Sequence, residues 1–212
     1  MDNTPAPPGQ SAMVDLSQYP NAQAFVKRCA EFFDEVQNLT PGKELEARLN
    51  QNHGPGTPYY EDFCRYIREG LDEGWVASLE IDGRRYRRGK IAEPSEATRF
   101  FSITAVYMES GDADSGSSAD DVNGNGNGKE PPFFSGQYHK HPYGEINCVV
   151  QLDATAQLQG MSGWQGAGWT SPGPGTHHYP RVRGGRLVAL FFLPAGRITY
   201  DASPDMAQPV SI

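Results

Sequence analysis

His139 and His141 are separated by a single residue in the run GQYHKHPYGEINCVVQLD, and Glu145 follows four positions after the second histidine. On an extended strand alternate side chains leave the same face, so both imidazoles point one way. Pro142-Tyr143-Gly144 is turn-prone and can re-aim the backbone before Glu145. Two neutral imidazoles and one carboxylate are three corners of a site for a borderline divalent cation. A fourth candidate, His178, follows the Pro/Gly-rich turn of SPGPGTHHYPRV, directly after His177. Such a set can act as a Lewis acid, with Glu145, Tyr138, Tyr143 and His177 close by in sequence to carry protons. Histidine and carboxylate donors accept Zn, Mn, Fe, Co or Ni, and the spacing does not choose among them.

Strands must carry these residues. From Pro132 onward the chain reads as short strand-like runs divided by turns: PFFSGQYHKH, EINCVVQLD, ATAQLQGM, GWTSPG, HHYPRVRGG, RLVALFFLP and GRITYD. That rhythm suits an antiparallel barrel or sandwich rather than alternating β-α units. Upstream, VASLEIDGRRYRRGKI centres on Asp82-Gly83, a tight-hairpin pair. Arg99 to Glu109 reads as a further strand, with Phe101, Ile103, Ala105 and Tyr107 on one side. The barrel domain is therefore expected over 75–204. Cys148 has the opposite strand parity to Glu145 and should point away from the proposed site.

Before it lies a helical segment, 21–74. Phe25, Cys29, Phe32, Phe33 and Val36 recur at helical spacing after Asn21, which can cap the start. Leu45 and Leu49 mark a shorter helix, and Tyr60, Phe63, Cys64, Ile67 and Leu71 form the stripe of a third. Each helix has one apolar face to bury against the barrel. His53, in a Gly/Pro loop, reads as solvated. Residues 1–20 are Pro-rich and aperiodic, a disordered leader, and 110–130 is a flexible polar insertion between strands.

The formal net charge of −8 argues against nucleic acid as a partner. Arg84, Arg85, Arg87, Arg88 and Lys90 read as basic residues on a solvated hairpin. No apolar run approaches the roughly 20 residues of a membrane helix, and the N-terminal stretch has no secretory pattern. The three cysteines, Cys29, Cys64 and Cys148, are odd in number and widely spaced. Reduced thiols in a cytoplasmic protein are the expectation.

GQYHKHPYGE and GWTSPGPGTHH resemble the two signature motifs of the cupin superfamily. Gly136, His139, His141 and Glu145 fall on the first motif, and Gly175-Thr176-His177-His178 places His178 on the histidine of the second. Gly173 stands where that motif has a proline, with Pro172 and Pro174 on either side, so His177 remains an alternative ligand. The resemblance implies a mainly β fold, an antiparallel β-barrel (double-stranded β-helix), holding a divalent metal through His139, His141, Glu145 and His178. A narrower likeness covers most of 90–200. HPYGEINCVVQLD and GGRLVALFFLPAGRITY are similar to the 4-hydroxylaminobenzoate lyase family. That implies conversion of 4-hydroxylaminobenzoate to protocatechuate (3,4-dihydroxybenzoate) and ammonia in nitroaromatic degradation, with no organic cofactor. A metal-dependent cupin dioxygenase or isomerase, and a ligand-binding cupin without chemistry, are the alternatives.

An aromatic acid needs a cation and a flat apolar wall. Arg99, Arg181 and Arg197 are the arginines nearest strand sequence, and Tyr107, Tyr138, Tyr143, Trp169 and Tyr179 could flank the ring. Glu145, Tyr138 and His177 are the candidate proton carriers. The apolar run Leu187 to Leu193 is either a buried strand or part of a dimer interface, and a homodimer is expected.

Overall fold

The computed structural model describes residues 13, 15–111 and 132–209. The expected leader and polar insertion fall largely outside the described residues. Three helices come first: α1 (Pro20–Val36), α2 (Lys43–His53) and α3 (Pro58–Glu73). The first begins one residue before Asn21, at Pro20. Proline's fixed φ suits a first helical turn, and its missing N–H leaves nothing to cap. The Asn21 amide instead donates to Glu73 Oε1 at 2.5 Å, linking α1 to the end of α3.

Twelve strands follow. They are β1 (Leu79–Asp82), β2 (Tyr86–Ala92), β3 (Phe101–Glu109), β4 (Phe133–Ser135), β5 (His139–Lys140) and β6 (Ile146–Gln151). Then come β7 (Gln157–Gly160), β8 (Gly163–Gln165), β9 (Gly168–Thr170), β10 (His177–His178), β11 (Arg181–Arg183) and β12 (Arg186–Pro194). They form a six-stranded sheet in the order β1-β2-β3-β12-β6-β9, a four-stranded sheet β4-β11-β7-β8, and the short ladder β10-β5. Every pairing between these strands is antiparallel. The mainly β cupin-like body with N-terminal helices is therefore present, as two facing sheets whose hydrogen bonding does not run continuously round.

Period-2 alternation sorts the large sheet's side chains into two cores. Leu187, Ala189 and Phe191 of β12, with Val106 and Met108 of β3 and Val149 of β6, meet Leu158 and Val182 of the small sheet in the interior. Val188, Leu190 and Phe192, with Ile103, Ala105, Ile146, Cys148 and Val150, face the other way onto Phe25, Phe32 and Phe63 of the helices. So β12 is buried on both faces, which is why Leu187 to Leu193 reads as continuous hydrophobe. It is a central strand of this chain. Cys148 takes the side expected from its parity, and no helix among the described residues is long and apolar enough to cross a membrane.

The helices also satisfy backbone groups of β6 and β9 at the edge of the large sheet. Asn50 of α2 acts as a surrogate strand for β9, donating to Trp169 O at 2.8 Å and accepting from Trp169 N at 2.9 Å. Tyr60 of α3 donates to Val149 O at 2.6 Å and accepts from Gly168 N at 3.1 Å. Such pairing removes the cost of burying unpaired amides, about 1–3 kcal/mol each.

Candidate active site

The two-residue strands β5 and β10 pair so that His178 lies opposite His139 and His177 opposite Lys140. Strand parity then sends His139, His141 and His178 inward. One nitrogen from each of these three rings lies within 4.8 Å of the others, close enough to share one ion. His139 donates from Nδ1 to Gln137 O at 2.9 Å, and His141 Nδ1 is 3.3 Å from Thr176 Oγ1. Thr176 Oγ1 in turn donates to Gly173 O at 2.6 Å, so it accepts from His141. Both contacts place the ring proton on Nδ1 and leave Nε2 with a free lone pair, as a ligating histidine requires.

Glu145 joins them from the turn before β6. Its N–H donates to Pro172 O at 2.9 Å, and its carbonyl accepts from Ser171 Oγ at 3.0 Å. Gly144 makes that approach possible. Its φ is +80°, and a Cβ there would come within 2.5 Å of Pro41 and 2.9 Å of Pro172 O. The Glu145 side chain is fully buried; Oε1 accepts from Asn147 Nδ2 at 2.6 Å, and Oε2 stands 3.6 Å from His141 Nε2. Among the described residues, His139 Nε2, His141 Nε2 and Glu145 Oε2 are buried with no hydrogen-bond partner. Buried polar atoms are rarely left so; the three histidine nitrogens share one point that fits a divalent cation, while Glu145 approaches them through His141 and lies outside the 4.8 Å cluster.

Electrostatics agree with the donor set. Burial holds all three imidazoles below their ordinary range, His139 down to about 4 and His178 down to about 3. They are therefore neutral, as ligands must be. Burial also pushes the Glu145 carboxyl up to about 8, against the pull of the Asn147 hydrogen bond. A neighbouring cation is what would return it to the carboxylate form.

A cavity of about 420 Å³ opens beside His139. Its polar lining includes Tyr86, Arg88, Lys90, Thr104 and Tyr200, and its apolar wall Val106, Phe191, Leu193 and Ile198. Among the described residues no aspartate or glutamate lines it. Its size is in the range of small-molecule pockets, roughly 300–1,000 Å³.

Several residues expected at the site do not line the cavity, although His177 and Arg181 lie near enough to act electrostatically on His178. Tyr138 and His177 pair with each other, 2.5 Å from hydroxyl to Nδ1, on the outward face of the β5–β10 ladder. His177 also meets Ala207 O and Gln208, contacts that hold the C-terminal strap. Trp169 and Tyr107 sit in the helix-facing core, where Trp169 stacks on Phe32 at 5.0 Å and donates to His53 O. His53 is thus part of that packing, with Glu35 Oε2 3.4 Å from its ring, rather than a solvated loop residue. Tyr143 and Arg197 are exposed. Arg99 is bound to Asp34 through two contacts of 2.6 and 3.0 Å. Arg181 lies over the rings of Phe133 and Tyr179 and bonds Ser135, next to inward-facing Val182. None of these lines the cavity.

Arg88 is the residue that the sequence reading put on the wrong side. It belongs to the basic hairpin but is only 9% exposed and lines the cavity. The outer face of β2 is covered, since a Cβ on Gly89 would sit 3.2 Å from the Ala77 amide nitrogen. The alternation Tyr86-x-Arg88-x-Lys90 was the signal, and these three residues share the cavity face.

Comparison with known proteins gives a consistent result. A family model described as PnbB: 4-hydroxylaminobenzoate lyase matches residues 27–200. The 4-hydroxylaminobenzoate lyase of Nocardioides sp. (strain LMS-CY) is 47% identical over 182 residues, covering 86% of this chain and 96% of that protein. The enzyme of the same name from Pseudomonas putida is 46% identical over 173 residues, 82% of this chain and 92% of that protein. Among solved structures, the DMSP lyase DddQ from Ruegeria pomeroyi DSS-3 aligns over 91% of this chain and 97% of its own, at 13% identity and a TM-score of 0.35. A likeness that loose carries neither fold nor activity across.

Proposed function

The chain belongs to the 4-hydroxylaminobenzoate lyase family, and on that footing we propose that it converts 4-hydroxylaminobenzoate and one water to protocatechuate and ammonia. The observation that carries this reading is the convergence of three neutral imidazoles, with the unpartnered Glu145 Oε2 3.6 Å from one of them, at a cavity lined by His139. His139, His141, His178 and Glu145 would hold a divalent ion, which supplies Lewis acidity toward an oxygen or nitrogen bound next to it.

The reaction is redox-neutral overall and needs no external oxidant. Cleavage of the N–O bond requires a proton on the departing hydroxyl oxygen, which leaves as water. A second water then adds to the ring carbon next to the one bearing nitrogen, and loses a proton. Hydrolysis of the imine at C4 consumes a third water, releases ammonia, and rearomatisation gives the catechol. One water leaves and two add, so the balance is one water in and one ammonia out.

Glu145 is the carboxyl that reaches His141 among the described residues, and Asn147 holds its Oε1. Oε2 is therefore the atom that binds the ion or moves these protons. The apolar wall of Val106, Phe191 and Leu193 excludes bulk water and presents a surface for the ring.

The test is to mix purified protein with 4-hydroxylaminobenzoate before and after chelation and follow protocatechuate, ammonia and oxygen together. The expected result is equal amounts of both products, no oxygen uptake, and loss of turnover on chelation with recovery on adding back one metal. Oxygen consumption in step with product, or no product with any of the candidate metals, would overturn the assignment. Turnover that survives complete metal removal would keep the lyase and overturn its metal dependence.

A further inference from the structure

We propose that Arg88, steadied by Tyr200, is the clamp that binds the substrate carboxylate and so directs the opposite end of the ring to the histidine cluster. This inference rests on the aromatic-acid substrate proposed above. Arg88 is a buried guanidinium with no carboxylate partner among the described residues, in a chain of net charge −8. A permanent charge in such a place needs an anion. Nη1 donates to Tyr200 Oη at 3.0 Å, while the buried Nε has no partner. Nε is closed off from the cavity, so the end of the guanidinium, through Nη2 beside the Tyr200-bound Nη1, is what a ligand carboxylate would meet.

The surroundings narrow the ligand class. Among the described residues no acidic side chain lines the cavity, so none of them competes there for the guanidinium. Lys90, the other cation in the lining, is already engaged by Glu93 at 2.8 Å. Arg88 and His139 line the same cavity, and Tyr200 links them, its ring 6.2 Å from that of His139 and its hydroxyl on Arg88. Val106, Phe191 and Leu193 line the same cavity and offer apolar surface to a flat ring. A para-substituted benzoate places a carboxylate at one pole and its reactive nitrogen at the other. A neutral ring of the same shape would leave Arg88 uncompensated.

Binding of 4-hydroxybenzoate and of its neutral isostere 4-hydroxybenzamide, measured calorimetrically on the metal-loaded protein, tests the clamp without requiring turnover. The wild type should bind the acid at least 30-fold more tightly than the amide. Arg88→Met should abolish that preference while moving amide affinity less than threefold, and Arg88→Lys should restore part of it. Tyr200→Phe should weaken acid binding severalfold. With 4-hydroxylaminobenzoate, the Arg88→Lys loss should fall mainly on KM, not kcat. A wild type that does not distinguish acid from amide overturns the clamp, as does a folded Arg88→Met protein that keeps the preference or loses both ligands equally. If Arg88→Met does not fold, the wild-type preference together with Arg88→Lys and Tyr200→Phe decides. Failure of turnover in the wild type with the acid preference intact would sink the lyase reading and leave the clamp standing.

Discussion

His141 Nε2 and Glu145 Oε2 face each other across 3.6 Å of buried space, too far for a hydrogen bond, and neither has another partner among the described residues. Both are held in place from behind, His141 through Thr176 and Glu145 through Asn147. Two buried polar atoms kept apart in this way form a preorganised pair of donors rather than an ion pair.

The ladder register assigns different tasks to adjacent histidines. His178→Ala should reduce metal affinity by about a hundredfold or more, since even supporting contacts of a ligand are worth about 10–100-fold. His177→Ala should leave metal content unchanged and loosen the C-terminal strap that Gln208 and Ala207 hold against it. Metal analysis after dialysis, with limited proteolysis near the C-terminus, separates the two. Equal metal loss in both variants would contradict the register.

Glu145 gives the metal-free protein a pH signature. Its folded value is raised to about 8 from 4.5, so the folded state holds a proton that the unfolded chain has released. Stability therefore falls as pH rises through that window. The three histidines, lowered from 6.5, act in the opposite direction, and their effect is complete only about one pH unit above that value. From pH 7.5 to 8.5 the metal-free protein should lose about 0.7 kcal/mol from this carboxyl. Urea titrations at several pH values would read it, and Glu145→Gln should flatten the slope.

Gly144 is where backbone geometry delivers the carboxylate. Gly144→Ala forces a left-handed residue, at roughly 1–2 kcal/mol, into a space where its Cβ overlaps Pro41 and the Pro172 carbonyl. The expected outcome is a loss of at least 2 kcal/mol, about the sum of strain and overpacking, with weakened metal binding because Glu145 shifts. Chemical denaturation and metal titration check both halves.

Tyr60 reports on the helix–barrel junction. Tyr60→Phe leaves Val149 O and Gly168 N without their buried partner, which should cost about 2–4 kcal/mol at the usual penalty per group. The readout is the denaturation midpoint. KM should stay within twofold, since the hydroxyl is on the side of the large sheet away from the cavity.

Much of the site was legible in the chain. His139, His141, Glu145 and His178 announce themselves by spacing, because a period of two and a turn are local properties. The helical stripes and Cys148's orientation follow from the same rule, and the Phe101–Tyr107 alternation places those residues on one face, as found. The choice between His177 and His178 needed the pairing of β5 with β10, a contact between segments far apart in sequence.

Periodicity says which residues share a face, never what that face meets. Tyr107 and Trp169 share faces that turn towards the helices, and Arg88 shares one that turns inward, so aromatics expected beside the substrate became core and an arginine expected in solvent became buried. The sequence by itself determined the histidine cluster, the strand-rich body and the helical segment. Only the tertiary structure decided which side of each strand is the inside. That depends on two sheets and three helices competing to cover the same apolar surfaces, a balance summed over the whole chain rather than written in any one stretch of it.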